Sequence, residues 1–267
     1  MRDIIRQAVN VLATIALIVV NALANALPLN GLTTGEISDR FDVYFVPAGY
    51  VFSIWGLIYV GLLAFTVYQA LPAQRENPRL RRIGYLYALS CVANIAWLFL
   101  WHYEVFAWTL VAMGALLLLL IAIYLRIGIG RTRVSPAETW LVRVPYSIYL
   151  GWITVATVAN VTSVLDYLNW GRWGLSEEVW GVLILIVAGL IASLVSLTRG
   201  DVAYVLVILW AYAGIAVKHN NTMSIFVTAI VVATIVALTL VVGVPVTRTR
   251  VLAWQKEQPD EGIRHRW

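Results

Sequence analysis

The sequence predicts an all-α, polytopic helical membrane protein with about eight transmembrane helices. Of the 267 residues, 61% are apolar and only 12% are charged, whereas a soluble domain usually carries about 25% charged residues. Roughly 163 of the 267 residues are therefore apolar, enough for about eight spans of about 20 residues each. Unbroken apolar runs such as ALLLLLIAIYL argue against the alternating strands of a membrane barrel. The composition excludes a soluble enzyme, a disordered scaffold and a secreted disulfide-rich module.

Eight apolar stretches are predicted as spans. The first follows Arg2 and Arg6, exceeds the usual apolar core of a signal peptide and precedes further spans, so we interpret it as a retained helix. In chain order the predicted spans are Ile5 to Leu27, Ala48 to Leu71, Ile83 to Trp101, Val105 to Leu125, Thr139 to Leu165, Val179 to Leu197, Val202 to Val217 and Met223 to Val244.

The placement of arginine and lysine predicts the orientation. With eight spans, 16 of the 19 Lys and Arg residues fall on the side of the termini, while only Arg40, Arg172 and Lys218 fall on the other side. Cytoplasmic loops carry such an excess, so we expect both termini in the cytoplasm and the chain in the cytoplasmic (inner) membrane. The net charge of +5 is then a topology signal, and no nucleic-acid partner is expected.

The predicted spans carry few reactive groups. None has an ionisable residue near its centre, and the nearest, Arg143, lies in the first turns of span five. Cys91 is the only cysteine, Lys218 ends a span and so offers no mid-helix Schiff base, and His102 lacks a partner at metal-ligand spacing. We expect no enzyme activity, no catalytic residues, no metal site and no required cofactor.

The positive signal is aromatic, with 12 Trp and 13 Tyr in the chain. Interfacial belts account for Trp140, Trp170, Trp173 and Trp180. Others lie deeper or beside polar amides. Asn94 shares a helical face with Trp97, and Trp152, Ala156 and Asn160 share another. The amides either bond between helices or anchor a ligand in an aromatic-lined pocket.

Three segments together resemble the TspO/MBR family, the tryptophan-rich sensory proteins related to the mitochondrial translocator protein. They are FVPAGYVFSIWGLIYVGLLAFTVY, VANIAWLFLW and RVPYSIYLGWITVATVAN, in the family's order. The positions that match its motifs are Pro47, Trp55, Tyr59, Asn94, Trp97, Pro145, Tyr146, Trp152, Ala156 and Asn160.

The sequence also departs from the family pattern. One proline of a pair and a tryptophan are missing near Ala48 and Gly49, and Ser53 replaces a proline. The interval from Pro145 to Trp152 is about one helical turn longer than the family pattern. These departures fall at the expected mouth of the pocket.

The resemblance implies a TspO-like five-helix bundle over residues 1–165, followed by three additional helices at 166–245 and a cytoplasmic polar tail at 246–267. It implies a pocket for a porphyrin or other tetrapyrrole beneath the loop from Pro28 to Pro47, a receptor or sensor role in tetrapyrrole or stress responses, and a possible homodimer. The expected ligand-binding residues are Trp55, Tyr59, Asn94, Trp97, Tyr146, Trp152 and Asn160, and the expected lid carboxylates are Glu36, Asp39 and Asp42.

The sequence leaves two other functions open. The chain is alternatively a membrane transporter of an uncharged or amphipathic small molecule, although its halves show no shared Trp or Asn pattern, or an assembly subunit of a pigment complex. Degradation of a bound tetrapyrrole is the enzymatic variant of the receptor hypothesis.

Overall fold

The computed structural model describes residues 1–27 and 29–257, and this part of the chain is helical without strands. Pro28 and the tail residues 258–267 lie outside the described residues. The eight long helices of the described chain are α1 (Arg2–Ala26), α2 (Ile54–Ala70), α3 (Leu86–His102), α4 (Phe106–Arg126), α5 (Val144–Tyr167), α6 (Glu177–Arg199), α7 (Val202–Lys218) and α8 (Met223–Glu257).

The predicted class is confirmed. Six helical stretches are long and apolar enough to cross a membrane, while α3 and α7 are shorter apolar helices of 17 residues each. Several helices begin or end differently from the prediction, among them α5, which begins at Val144 after a π-helical turn at Thr139–Arg143. A 3-10 turn at Gly49–Ser53 precedes α2, and α8 continues beyond Val244 through Pro245.

The first five helices form a ring. Neighbours around it are α1 and α2, α2 and α5, α5 and α4, α4 and α3, and α3 and α1. Buried side chains of α5, among them Tyr146, Tyr149 and Trp152, pack within this ring. Helix α5 therefore supplies much of the buried aromatic interior of the ring, and it also packs against α7 outside it.

The last three helices pack on one side of the ring. Helix α8 packs against α6 and α7, and α7 packs against α5. The α5–α7 contact is close because Gly151 has no side chain: a Cβ there would lie 3.0 Å from the carbonyl oxygen of Tyr204. Small residues let apolar helices approach in this way, since lipid offers no hydrophobic drive between them.

The two ends of the bundle differ in charge. We call the end that holds both described termini the arginine-rich end, and the opposite end, with loops near residues 29–53, 103–105, 168–176 and 219–222, the lid end. At the arginine-rich end Arg81 pairs with Asp3 at 2.7 Å and Arg79 with Glu138 at 3.2 Å. That this end faces the cytoplasm stays a prediction.

A buried carboxylate joins α7 to the ring at the arginine-rich end. Asp201, between α6 and α7, accepts hydrogen bonds from the Tyr124 hydroxyl at 2.9 Å and the Ser147 hydroxyl at 2.6 Å. It also caps α7 by accepting from the backbone N–H of Tyr204 at 3.1 Å. Burial raises the pKa of this carboxyl, against the effect of these hydrogen bonds.

Replacing this residue tests the junction. We expect Asp201→Ala to lower the free energy of unfolding by at least about 2 kcal/mol, because it removes a helix cap and leaves two buried hydroxyls without an acceptor. Thermal unfolding in detergent measures the loss. Glu76→Ala, at a side chain 83% exposed, is the matched control, and equal stability of the two variants would contradict the assigned role of Asp201.

Candidate functional site

A cavity lies between the lid segment (residues 29–53), α2, α3 and α5. Its enclosed volume is about 40 Å³, and the wider cleft around it, which includes open solvent, is about 490 Å³. We call it the tryptophan cavity. It is lined by Thr34, Ser38, Val46, Pro47, Phe52, Trp55, Trp97, Trp101, Trp152, Val155, Ala156, Ala159, Asn160 and Ser163.

Five aromatic rings line the cavity. Trp55 meets Trp152 edge to face, with ring centroids 6.1 Å apart, and Phe52 meets Trp152 in the same way at 5.7 Å. On the opposite side Trp97 and Trp101 are stacked at 5.5 Å with an interplanar angle of 20°. Such rings offer large flat apolar surfaces to a planar ligand.

One polar anchor of the cavity is fully bonded. The indole N–H of Trp97 donates to Asn160 Oδ1 at 2.8 Å, and Asn160 Nδ2 donates to the Thr109 hydroxyl at 2.8 Å. These bonds join α3, α5 and α4. The sequence left two roles open for this amide, a bond between helices and a place in the pocket. Asn160 has both, because it bonds between helices and also lines the cavity.

Two other polar groups of the lining have no partner. The indole N–H of Trp152 and the hydroxyl of Ser163 make no hydrogen bond among the described residues, although their side chains are 2% and 1% exposed. A buried polar group without a partner costs about 1–3 kcal/mol. A ligand acceptor within reach of either group would recover that cost.

The model of the family described as TSPO-like protein matches residues 7–242. The chain belongs to the TSPO-like protein family. Neither the curated proteins nor the solved structures contain a match. The family resemblance inferred from the motifs is confirmed. The match covers the five-helix ring and most of the three further helices.

Four of the seven predicted ligand residues line the cavity of the TSPO-like bundle, namely Trp55, Trp97, Trp152 and Asn160. Tyr59 lies one turn behind, stacked on Trp55 at 5.8 Å. Asn94 faces away, since it accepts from Asn21 at 2.9 Å and donates to the Tyr149 hydroxyl at 3.1 Å.

Tyr146, the seventh predicted residue, lies deeper in the ring. Its ring packs against Phe65 at 5.0 Å and Tyr87 at 6.1 Å. It does not belong to the cavity lining.

The lid carboxylates have separate environments. Glu36 closes a capping box with Thr33, whose backbone N–H and hydroxyl lower the pKa of that carboxyl. Asp39 accepts from Lys218 Nζ at 2.7 Å, and Asp42 lines a different cleft. None of the three lines the tryptophan cavity.

Sequence reasoning left out several lining residues. Trp101 follows Trp97 by four residues and so shares its helical face, which is the signal that could have identified it. Ser38 lies in the five-residue helix Thr34–Ser38 and Phe52 in the 3-10 turn Gly49–Ser53, and both elements are too short for a periodicity to mark the inward side. Ser163 follows Asn160 by three residues on α5.

Helix α7 holds the lid over the cavity. The N–H of Ala48 donates to the Gly214 carbonyl at 3.2 Å, and the indole N–H of Trp210 donates to the Val51 carbonyl at 3.1 Å. A glycine is required at 214, because a Cβ there would lie 2.1 Å from Val51 Cγ2. At the end of α7 the ring of His219 packs on Tyr44 at 5.2 Å, and burial lowers the pKa of this histidine.

Removing the indole N–H tests this attachment. We expect Trp210→Phe to speed hydrogen exchange of the amides at 46–53 by up to about tenfold, because one hydrogen bond of about 0.5–1.5 kcal/mol is lost while the ring stays. Hydrogen-exchange mass spectrometry measures the change. Trp108→Phe, at a side chain 62% exposed, is the control, and unchanged exchange at 46–53 would show that the Trp210 bond does not hold the lid.

Proposed function

We propose that the protein is a TSPO-like integral membrane receptor that binds a porphyrin or similar planar hydrophobic ligand in the tryptophan cavity. The observation that carries the proposal is a cavity walled by Trp55, Trp97, Trp101 and Trp152 that also holds two buried polar groups without partners. Flat rings suit a flat ligand, and the indole N–H of Trp152 and the Ser163 hydroxyl supply directional contacts.

The absence of charge in the described lining limits the class of ligand that the cavity can bind. None of the described lining side chains is ionisable, and an unpaired charge is expensive to bury in an apolar site. We therefore propose a ligand whose inserted part is neutral, and a binding role instead of acid, base or nucleophilic catalysis.

The size of the cavity implies movement of the lid. Its enclosed volume of about 40 Å³ holds only a few water molecules, whereas sites for drug-sized ligands usually measure about 300–1,000 Å³. The wider cleft of about 490 Å³ reaches that size, but it includes open solvent. Since Val46, Pro47 and Phe52 of the lid form one wall, we propose that the lid moves outward when ligand enters, and that this displacement is the receptor's response.

Titration with protoporphyrin tests the proposal. We expect saturable quenching of tryptophan fluorescence and about tenfold weaker binding by Trp152→Phe, which keeps an aromatic ring but removes the unpaired N–H. The dimethyl ester should bind at least as tightly as the free diacid, because the cavity offers no cation. Ser163→Ala should weaken binding without loss of stability, since its hydroxyl is unpaired in the unliganded protein.

Trp108→Phe on the exposed face of α4 is the matched control and should bind normally. Absence of saturable quenching, or equal affinity for the wild type, Trp152→Phe and Ser163→Ala, would contradict ligand binding in this cavity.

A further inference from the structure

A second cleft opens at the lid end, between the lid segment, the end of α5 and the beginning of α6. Its enclosed volume is about 30 Å³, and the wider cleft, which includes open solvent, is about 410 Å³. Its aromatic lining comes from Tyr44, Phe45, Trp170 and Trp180. We call it the lid-end cleft, and it shares no lining residue with the tryptophan cavity.

The tryptophans of this cleft form a packed group. Trp170 and Trp180 meet edge to face with centroids 4.9 Å apart, and Trp173 packs on them at 5.2 and 6.0 Å. An interfacial belt requires only that such rings lie at headgroup depth. Mutual packing additionally fixes the rings of Trp170 and Trp180 as one wall of a concave site.

The charged lining of the cleft is net negative. It holds the carboxylates of Asp42, Asp166 and Glu177 with one cation, Arg172, which pairs with Glu177 at 2.6 Å. Asp42 and Asp166 make no ion pair within the described chain. The positive charge of Arg172 acts on Asp166, opposed by the negative charges of Glu177 and Asp42. One arginine thus faces three carboxylates, and Asp42 and Asp166 together lack a full countercharge.

The surroundings offer no spare cation to supply one. The sequence places seven Asp and Glu residues at the lid end against three Lys and Arg residues. In the described structure each of these three cations has a carboxylate partner, in the pairs Arg40–Glu104, Arg172–Glu177 and Lys218–Asp39.

We propose that the lid-end cleft binds an organic cation that carries a quaternary ammonium group. Aromatic faces attract weakly hydrated cations of this kind, and Asp42 and Asp166 supply the countercharge. A quaternary ammonium has no N–H to satisfy, which suits a cleft that offers it four aromatic rings and unpaired carboxylates. Ca²⁺ takes about 6–8 oxygen ligands, and two unpaired carboxylates do not provide them.

Calorimetric titration with tetramethylammonium in an uncharged maltoside detergent tests this site. We expect tetramethylammonium to bind saturably. We expect no binding of 3,3-dimethylbutan-1-ol, whose neutral tert-butyl group has nearly the same shape as the quaternary ammonium group. Trp170→Leu should weaken tetramethylammonium binding about tenfold through loss of the cation–π contact. Asp42→Asn, at an exposed loop position that should not disturb folding, should weaken it severalfold, and added salt should do the same.

Matched controls are Trp140→Leu, a side chain 69% exposed at the arginine-rich end, and Glu178→Gln, a lid-end carboxylate outside the cleft lining. Both should bind tetramethylammonium normally. No saturable binding by the wild type, equal binding of the neutral isostere, or unchanged affinity in both Trp170→Leu and Asp42→Asn would overturn the proposal.

The cation could belong to a lipid headgroup or to a soluble compound, and nanodiscs distinguish the two. If choline headgroups occupy the cleft, tetramethylammonium binds more weakly in phosphatidylcholine nanodiscs than in nanodiscs of phosphatidylethanolamine, which is also zwitterionic but has no quaternary ammonium, so that the two membranes have the same surface charge. Equal binding in both identifies a soluble cation. Because the assay uses no porphyrin, its outcome is independent of ligand binding in the tryptophan cavity.

Discussion

The contact between α7 and the lid is the constraint on which the site depends. Irregular backbone at membrane depth is tolerated only where protein or enclosed water satisfies its polar groups. Here Gly214 accepts from the backbone of Ala48, and Trp210 donates to the carbonyl of Val51. These bonds come from outside the five-helix ring, so the lid is held by the further helices as well as by the ring it covers.

One segment of chain therefore borders both sites. Val46, Pro47 and Phe52 form a wall of the tryptophan cavity, while residues 42–45 form a wall of the lid-end cleft. A lid movement that admits a planar ligand also changes the cleft, so we expect the two binding equilibria to be coupled and each ligand to alter the affinity of the other.

The sequence predicted those parts of the structure that local patterns encode. Apolar run length gave the eight helices, and helical spacing placed Trp97, Trp152 and Asn160 on inward faces. Asn94 shares a face with Trp97, yet its bonds to Asn21 and Tyr149 direct its side chain toward α1 and α5. Which neighbour an inward-facing side chain contacts depends on how the helices pack, and helical spacing does not encode that packing. The partner of Asp39 is 179 residues away, and no local pattern reports such a distance. The proposed boundary at residue 165 and a homodimer stay predictions.

The most direct measurement locks the lid and follows ligand entry. A short reducible bis-methanethiosulfonate link between Asp39→Cys and Lys218→Cys, in a Cys91→Ala background, would replace the ion pair of 2.7 Å with a covalent tether. Stopped-flow quenching by protoporphyrin dimethyl ester should be slowed strongly in the linked protein and restored after reduction. Equal association rates in the linked and reduced forms would contradict entry beneath a lid that α7 holds closed.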